Sequence, residues 1–416
     1  MALRGSSRRD DRFDFLRGLA LLVIFIDHVP KNFFEAFTLH SVAFCDAAEV
    51  FFFISGYVAA MVYGRFMLKN GFVAATRKVW RRAGVVYGAQ MLLLIAVLAL
   101  VWTVIHATGD QTFRYIFRIQ WVFDVPLAYV LPSLTMHYQP GYLDILPAYV
   151  VLLALFPAVL WAMSRSVWLV LVPSFALWLA VQVFGLTFWT TSGDRWFFNP
   201  FAWQFLFVLG AVFGHPAMKG KLDFARAPWL VWAAVAVAIP TAVIQLSDTL
   251  YQNGWLTTTL RPETMLFDKT SLGALRLVSF FALAVIARRT LPVSGVLSEN
   301  RWTLPVIRCG RFSLQVFSFG ALLSSLTAVS WVLTGSNVMV QTAAAIAGVA
   351  AQLVCGAWLV KRREAADAKR RDDIDPPRRE EIDPLRREET FRDEPLGLVG
   401  EPVAMTAHSE PCPPRG

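Results

Sequence analysis

Ten apolar runs dominate this chain, at about residues 13–30, 47–67, 83–106, 142–163, 167–186, 200–216, 228–247, 271–287, 312–334 and 338–360. Most approach the roughly 20 residues a helix needs to cross bilayer hydrocarbon. They are continuous rather than alternating, and lipid admits only helices or closed barrels. The expected fold is therefore all-α, a polytopic membrane bundle of about ten transmembrane helices. With 56% hydrophobic residues and 33 Phe, the composition excludes an ordinary soluble domain.

A net charge of +9 invites a nucleic-acid reading, but its distribution argues for a bilayer. With the N-terminus cytoplasmic, inner segments collect clusters such as Arg8, Arg9 and Arg12, Arg77 to Arg82, and Arg288 with Arg289. Outer segments carry only Lys31, Arg114, Arg118, Arg195, Arg261 and Lys269. This positive-inside asymmetry places both termini in the cytoplasm, which an even number of spans requires. No nucleic-acid partner is expected.

Residues 1–12 form a basic cytoplasmic segment with no cleavage site after the first apolar run, so that run is read as a retained helix. Residues 13–360 form the membrane domain. From 361 to 416 the composition turns charged and proline-rich, with the repeat RRDDIDPP and RREEIDPL at 370–385, and a disordered cytoplasmic tail is expected. The cysteines at 45, 309, 355 and 412 lack metal-ligand spacing, so no metal site is expected.

Within the first run, Asp14, Arg17 and His28 interrupt the sequence FDFLRGLALLVIFIDHVP. At 100° per residue Arg17 and His28 fall within about 20° of one face, and roughly 16 Å apart along the axis. Ionisable groups in such a segment face a bundle interior or a wet cavity. His28 is the candidate general base, since an imidazole titrates near neutrality. Asp46 and Glu49 open the second run near the level of His28 and, three residues apart, share a face. They are the candidate acids to orient that imidazole. The plainer reading is a pair of solvated rim carboxylates.

RKVWRR at 77–82 puts Arg77, Lys78, Arg81 and Arg82 around Trp80 at the cytoplasmic surface, a set suited to a polyphosphate as well as to membrane anchoring. Asp14, Asp144, Lys269 and Arg276 are candidate substrate-binding groups at run ends. The outer segment 107–141 holds Phe113, Tyr115, Phe117, Trp121, Phe123, Tyr129, His137 and Tyr138, rings that suit sugar faces and interfacial belts alike.

An arginine and a histidine separated by ten residues in the first run resemble the signature of membrane acyltransferase family 3. The second run, Glu49 to Tyr57, is similar to that family's D-L-F-F-V-I-S-G-F, with Glu in place of Asp. More narrowly, DFLRGLALLVIFIDHVPKN, DAAEVFFFISGY, LDILPAYVVLL, NPFAWQFLFVLGA and DKTSLGALR resemble OpgC-type proteins, over about Arg12 to Val360. The resemblance implies a bacterial inner-membrane acyltransferase. It would use acyl-CoA, with succinyl-CoA as donor, and modify hydroxyls of a periplasmic glucan. Carried over by position, it implies Arg17 and His28 as the essential pair, Glu49 as the second-run acid and, loosely, Arg77 or Lys78 with Arg81 as the basic motif. The rival class is a transporter or flippase for a glycan or anionic small molecule, in which the Arg17–His28 stripe would be a proton or substrate path.

Overall fold

The computed structural model describes residues 10–215, 227–262, 264–292 and 295–374. Ten long helices follow one another: α1 (Asp11–Asp27), α2 (Ala47–Asn70), α3 (Phe72–Thr108), α4 (Ile145–Arg165), α5 (Trp168–Phe184), α6 (Pro200–Gly214), α7 (Pro228–Gln252), α8 (Ala274–Thr290), α9 (Ser313–Leu333) and α10 (Val338–Ile374). Every apolar run of the sequence is matched by one of them. Among the described residues the only β-pairing is an isolated bridge between Trp189 and Arg195.

Six of the ten, α2, α3, α4, α7, α9 and α10, are long and apolar enough to cross a membrane. The other four, α1, α5, α6 and α8, have 15 to 17 residues. At 1.5 Å per residue that is only about 22–26 Å, short of a full hydrocarbon core. Long helices expose large apolar side chains, including Leu92, Ile95, Trp232, Val243 and Val354. Such continuous apolar cover suits a lipid solvent.

Local chemistry starts several of these helices. Asp46 caps α2 by accepting from the Ala48 amide, while Glu49 reaches back to the Asp46 amide, a reciprocal capping box. Asn199 caps α6, and Pro200 fills its first turn. A single residue, Gly71 at φ +83°, joins α2 to α3, a backbone turn that a side chain would strain.

Two close approaches hold the body together. A Cβ on Gly56 of α2 would meet the Phe207 carbonyl of α6, and one on Gly210 would meet the Phe53 carbonyl of α2. In the same way Gly18 of α1 abuts the Val306 carbonyl of the short helix Leu304–Arg311, and Gly310 abuts that of Asp14. Backbones this close gain dispersion contacts that any larger side chain forfeits. Gly210→Val should therefore cost about 1–3 kcal/mol. Thermal unfolding in detergent checks this, and an unchanged midpoint would remove the interlock from the account.

The sequence departs from the structure in two places. Residues 107–141 contain three short helices, Thr112–Ile116, Gln120–Asp124 and Pro126–Leu134. Phe113 and Phe117 are wholly buried there, in the core shared with the long helices, and Tyr138 is nearly so, so these rings present no face to a sugar. Tyr115 and Trp121 do stay exposed. At the other end the chain divides into a unit up to Arg363 and another from Glu364. The charged stretch after Val360 is helical as far as Ile374, where a disordered tail was expected. Its Ala, Glu, Lys and Arg are strong helix formers, and Arg362 lies over the Trp358 ring. The rest of that expectation, from 375 onwards and including most of the repeat, lies outside the described residues.

Candidate functional site

A cavity of about 1090 Å³ opens among α1, α2, α4, α8, α9 and the loops that precede them, and His28 lines it. His28 closes the C-terminal end of α1, and its Nδ1 lies 2.6 Å from the Ile24 carbonyl oxygen. A carbonyl only accepts, so Nδ1 carries the proton and Nε2 keeps a lone pair. That is the tautomer of a general base.

Asp144 and Asp46 line the same cavity as His28. Asp144 precedes α4 on the segment Gly141–Asp144, which is tied down at both ends. The Gly141 amide donates to the Phe117 carbonyl at 3.0 Å, and the Gln90 amide of α3 donates to the Leu143 carbonyl at 2.9 Å. Between them Tyr142 is held at φ +70°, its ring edge-on to His28 with centroids 5.5 Å apart. A non-glycine residue there stores on the order of 1–3 kcal/mol, and such strain collects at functional sites.

Asp46 and Glu49 are engaged elsewhere. Arg276 of α8 places Nε and Nη2 each 2.6 Å from Glu49 Oε1 and reaches Asp46 Oδ2 at 3.2 Å. Lys269 Nζ lies 2.6 Å from the same Asp46 oxygen. Glu49 is completely buried, and Arg276 almost so. Burial opposes ionisation of Asp46, yet Lys269 and Arg276 outweigh it and hold the carboxyl well below its usual range. The two carboxylates thus tie the start of α2 to α8 and its preceding loop. The hydrogen bond that orients the imidazole comes from the Ile24 carbonyl instead.

Lys269 is aimed by residues that sequence reasoning did not find. Trp203 donates its indole N–H to the Lys269 carbonyl, Gln182 donates to that of Ser271, and Trp178 donates to that of Leu272. Asp268 accepts from the Ser271 amide and hydroxyl. Trp and Gln inside apolar runs carry an N–H that needs a partner once buried, which was the available signal.

A second, smaller cavity of about 120 Å³ is lined by Arg17, Ser55, Tyr63, Arg82, Tyr149 and Ser313 among others. Phe317 lines both cavities. Of the basic run only Arg82 reaches this cavity. Arg77, Lys78 and Arg81 are exposed on α3, with Lys78 over the Phe66 ring, and Trp80 donates to the Ala154 carbonyl of α4. Asp14 is buried on α1, with its carboxylate 3.8 Å from Arg311 Nε, and lines neither cavity.

Arg17 and His28 therefore sit on one helix at two separate cavities, with Asp144, Lys269 and Arg276 gathered around the larger one. The sequence model of the family described as OpgC protein matches residues 9–364, nearly the whole helical body. The chain belongs to the OpgC family. No curated protein and no solved structure matches it. Membership in the OpgC family points to modification of a glucan by a membrane protein.

Proposed function

We propose that the protein is an inner-membrane acyltransferase that moves an acyl group, succinyl as the leading candidate, from cytoplasmic acyl-CoA to hydroxyls of a periplasmic glucan. Both termini are cytoplasmic in this reading, in keeping with the loop charges. The larger cavity then faces outward and receives the sugar, and the smaller one receives the donor from within. The observation that carries the reading is His28 with its Nδ1 held on the Ile24 carbonyl, in a cavity large enough for a sugar ring.

In the reaction His28 Nε2 takes the proton of a sugar hydroxyl as its oxygen attacks the thioester carbonyl. The carbon–sulfur bond then breaks, and the leaving thiolate receives the proton from the imidazolium. The products are a glycan ester and free coenzyme A. Asp144 stabilises the imidazolium while it exists. Arg17 and Arg82 supply positive charge on the donor's route, and Arg77, Lys78 and Arg81 supply it at the surface where phosphates would dock. Asp46, Glu49, Lys269 and Arg276 shape the wall of the acceptor side.

Membranes containing the protein, supplied with labelled succinyl-CoA and glucan, should transfer label to the glucan. Glucan that crosses the membrane unlabelled would favour a transporter and defeat this proposal.

A further inference from the structure

The larger cavity does not end at His28. A lobe continues inward between α1, α9 and α10, walled by Leu21, Phe25, Phe317, Gly320 and Ser324, with Gln352 of α10 at its side. Leu21 and Phe25 lie on α1 between Arg17 and His28, so the lobe runs along the same stripe. Through Phe317 it adjoins the smaller cavity that contains Arg17.

Gln352 is completely buried, and neither Nε2 nor Oε1 of its amide has a hydrogen-bond partner. A buried amide left with both a donor and an acceptor unmet is costly, on the order of 1–3 kcal/mol for each group. The site makes room for it: the bare α-carbon of Gly320 faces the amide, and a Cβ there would lie 3.3 Å from Oε1. The Gln352 backbone carbonyl is fixed separately by the Cys309 thiol, at 3.3 Å. The side chain is thus held in the wall of the lobe.

We infer that this lobe is the channel for the donor's pantetheine arm, and that Gln352 reads one of the arm's amide groups. The inference rests on the acyl-CoA reading above and adds a binding residue to it. The chemistry selects the ligand class. A carboxylate would meet the Gln352 N–H but leave its oxygen facing another acceptor, and a hydrocarbon would meet neither atom. A secondary amide offers one N–H and one C=O and satisfies both at once. Apolar walls suit the methylenes on either side of that amide. The amide pair replaces two unmet groups with two hydrogen bonds.

Binding to the purified full-length protein tests this with two unreactive probes: the S-propyl thioether of pantetheine, and its analogue with both amide N–H groups replaced by ester oxygens. The native protein should bind the amide probe about 10–100-fold more tightly, and Gln352→Met should reduce that preference to within about threefold. Equal binding of both probes by the native protein overturns the inference whether or not the variant folds. A full preference retained in Gln352→Met also overturns it. Amide preference without label transfer to glucan would sink the acyltransfer reading and leave the site, whereas transfer without amide preference would sink only the site.

Discussion

His28→Ala should lower the rate of acyl transfer by about 10²–10⁴-fold while the protein remains folded and inserted. The size follows from what the imidazole alone supplies. A sugar hydroxyl is a poor nucleophile until its proton has somewhere to go, and His28 stands in the wall of the larger cavity to take it. The Ile24 carbonyl fixes the Nδ1 proton, so Nε2 is the basic nitrogen before substrate arrives. Asp144→Asn should cost less, since it removes only the charge that steadies the imidazolium. The ion pairs that join α2 to α8 include neither His28 nor Asp144, so both variants leave that tie intact. Single-turnover transfer of labelled acyl groups, with thermal unfolding as the control, measures both effects. Near-native transfer by folded His28→Ala would end the base assignment.

Arg276→Met should destabilise the protein by about 3–5 kcal/mol, the usual consequence of removing one partner from a buried ion pair. Glu49 would be left fully buried without its cationic partner, and Asp46 would retain only Lys269. The double variant Glu49→Gln with Arg276→Met should recover much of the loss, because it removes the stranded carboxyl as well as its partner. Failure of that rescue would point to lost packing and against the electrostatic account. The pH dependence follows from Asp46. Its carboxyl in the folded protein lies below the ordinary value of 3.8. Its contribution is therefore complete above that value and fades only as the pH falls through the lower, folded-state one. Native protein should thus keep this contribution throughout the neutral range.

Much of the framework was readable along the chain. Each of the ten apolar runs marks a helix, because burial in lipid demands a long stretch with its backbone bonded internally. The run lengths did not separate the six helices long enough to cross from the four shorter ones. That depends on where caps such as Asn199 and turns such as Gly71 stop a helix, not on hydropathy. The end of α10 lies beyond the last apolar run for a related reason. Charge marks the edge of a membrane, but charged residues such as Glu364 and Lys369 still favour helix.

The candidate site was legible in its parts and not in its pairings. Asp14, Arg17 and His28 declared themselves by helical spacing within one segment. Asp46 and Glu49 stood out for the same reason, and D-A-A-E contains their capping box. Their cationic partner Arg276 lies 227 residues beyond Glu49, out of reach of any local pattern. Gln352 gave no sign at all, since one amide in an apolar run looks like tolerated packing until its neighbours are known.

Sequence alone determined that the chain is a helical membrane protein with a polar stripe on its first helix, because periodicity, apolar run length and loop charge are local properties. Only the tertiary structure decided which acids share a cavity with His28, which cations hold Asp46 and Glu49, and which amide stands unpartnered in the passage. Those outcomes depend on desolvation and hydrogen bonding between segments hundreds of residues apart, and such energies exist only once the helices have packed.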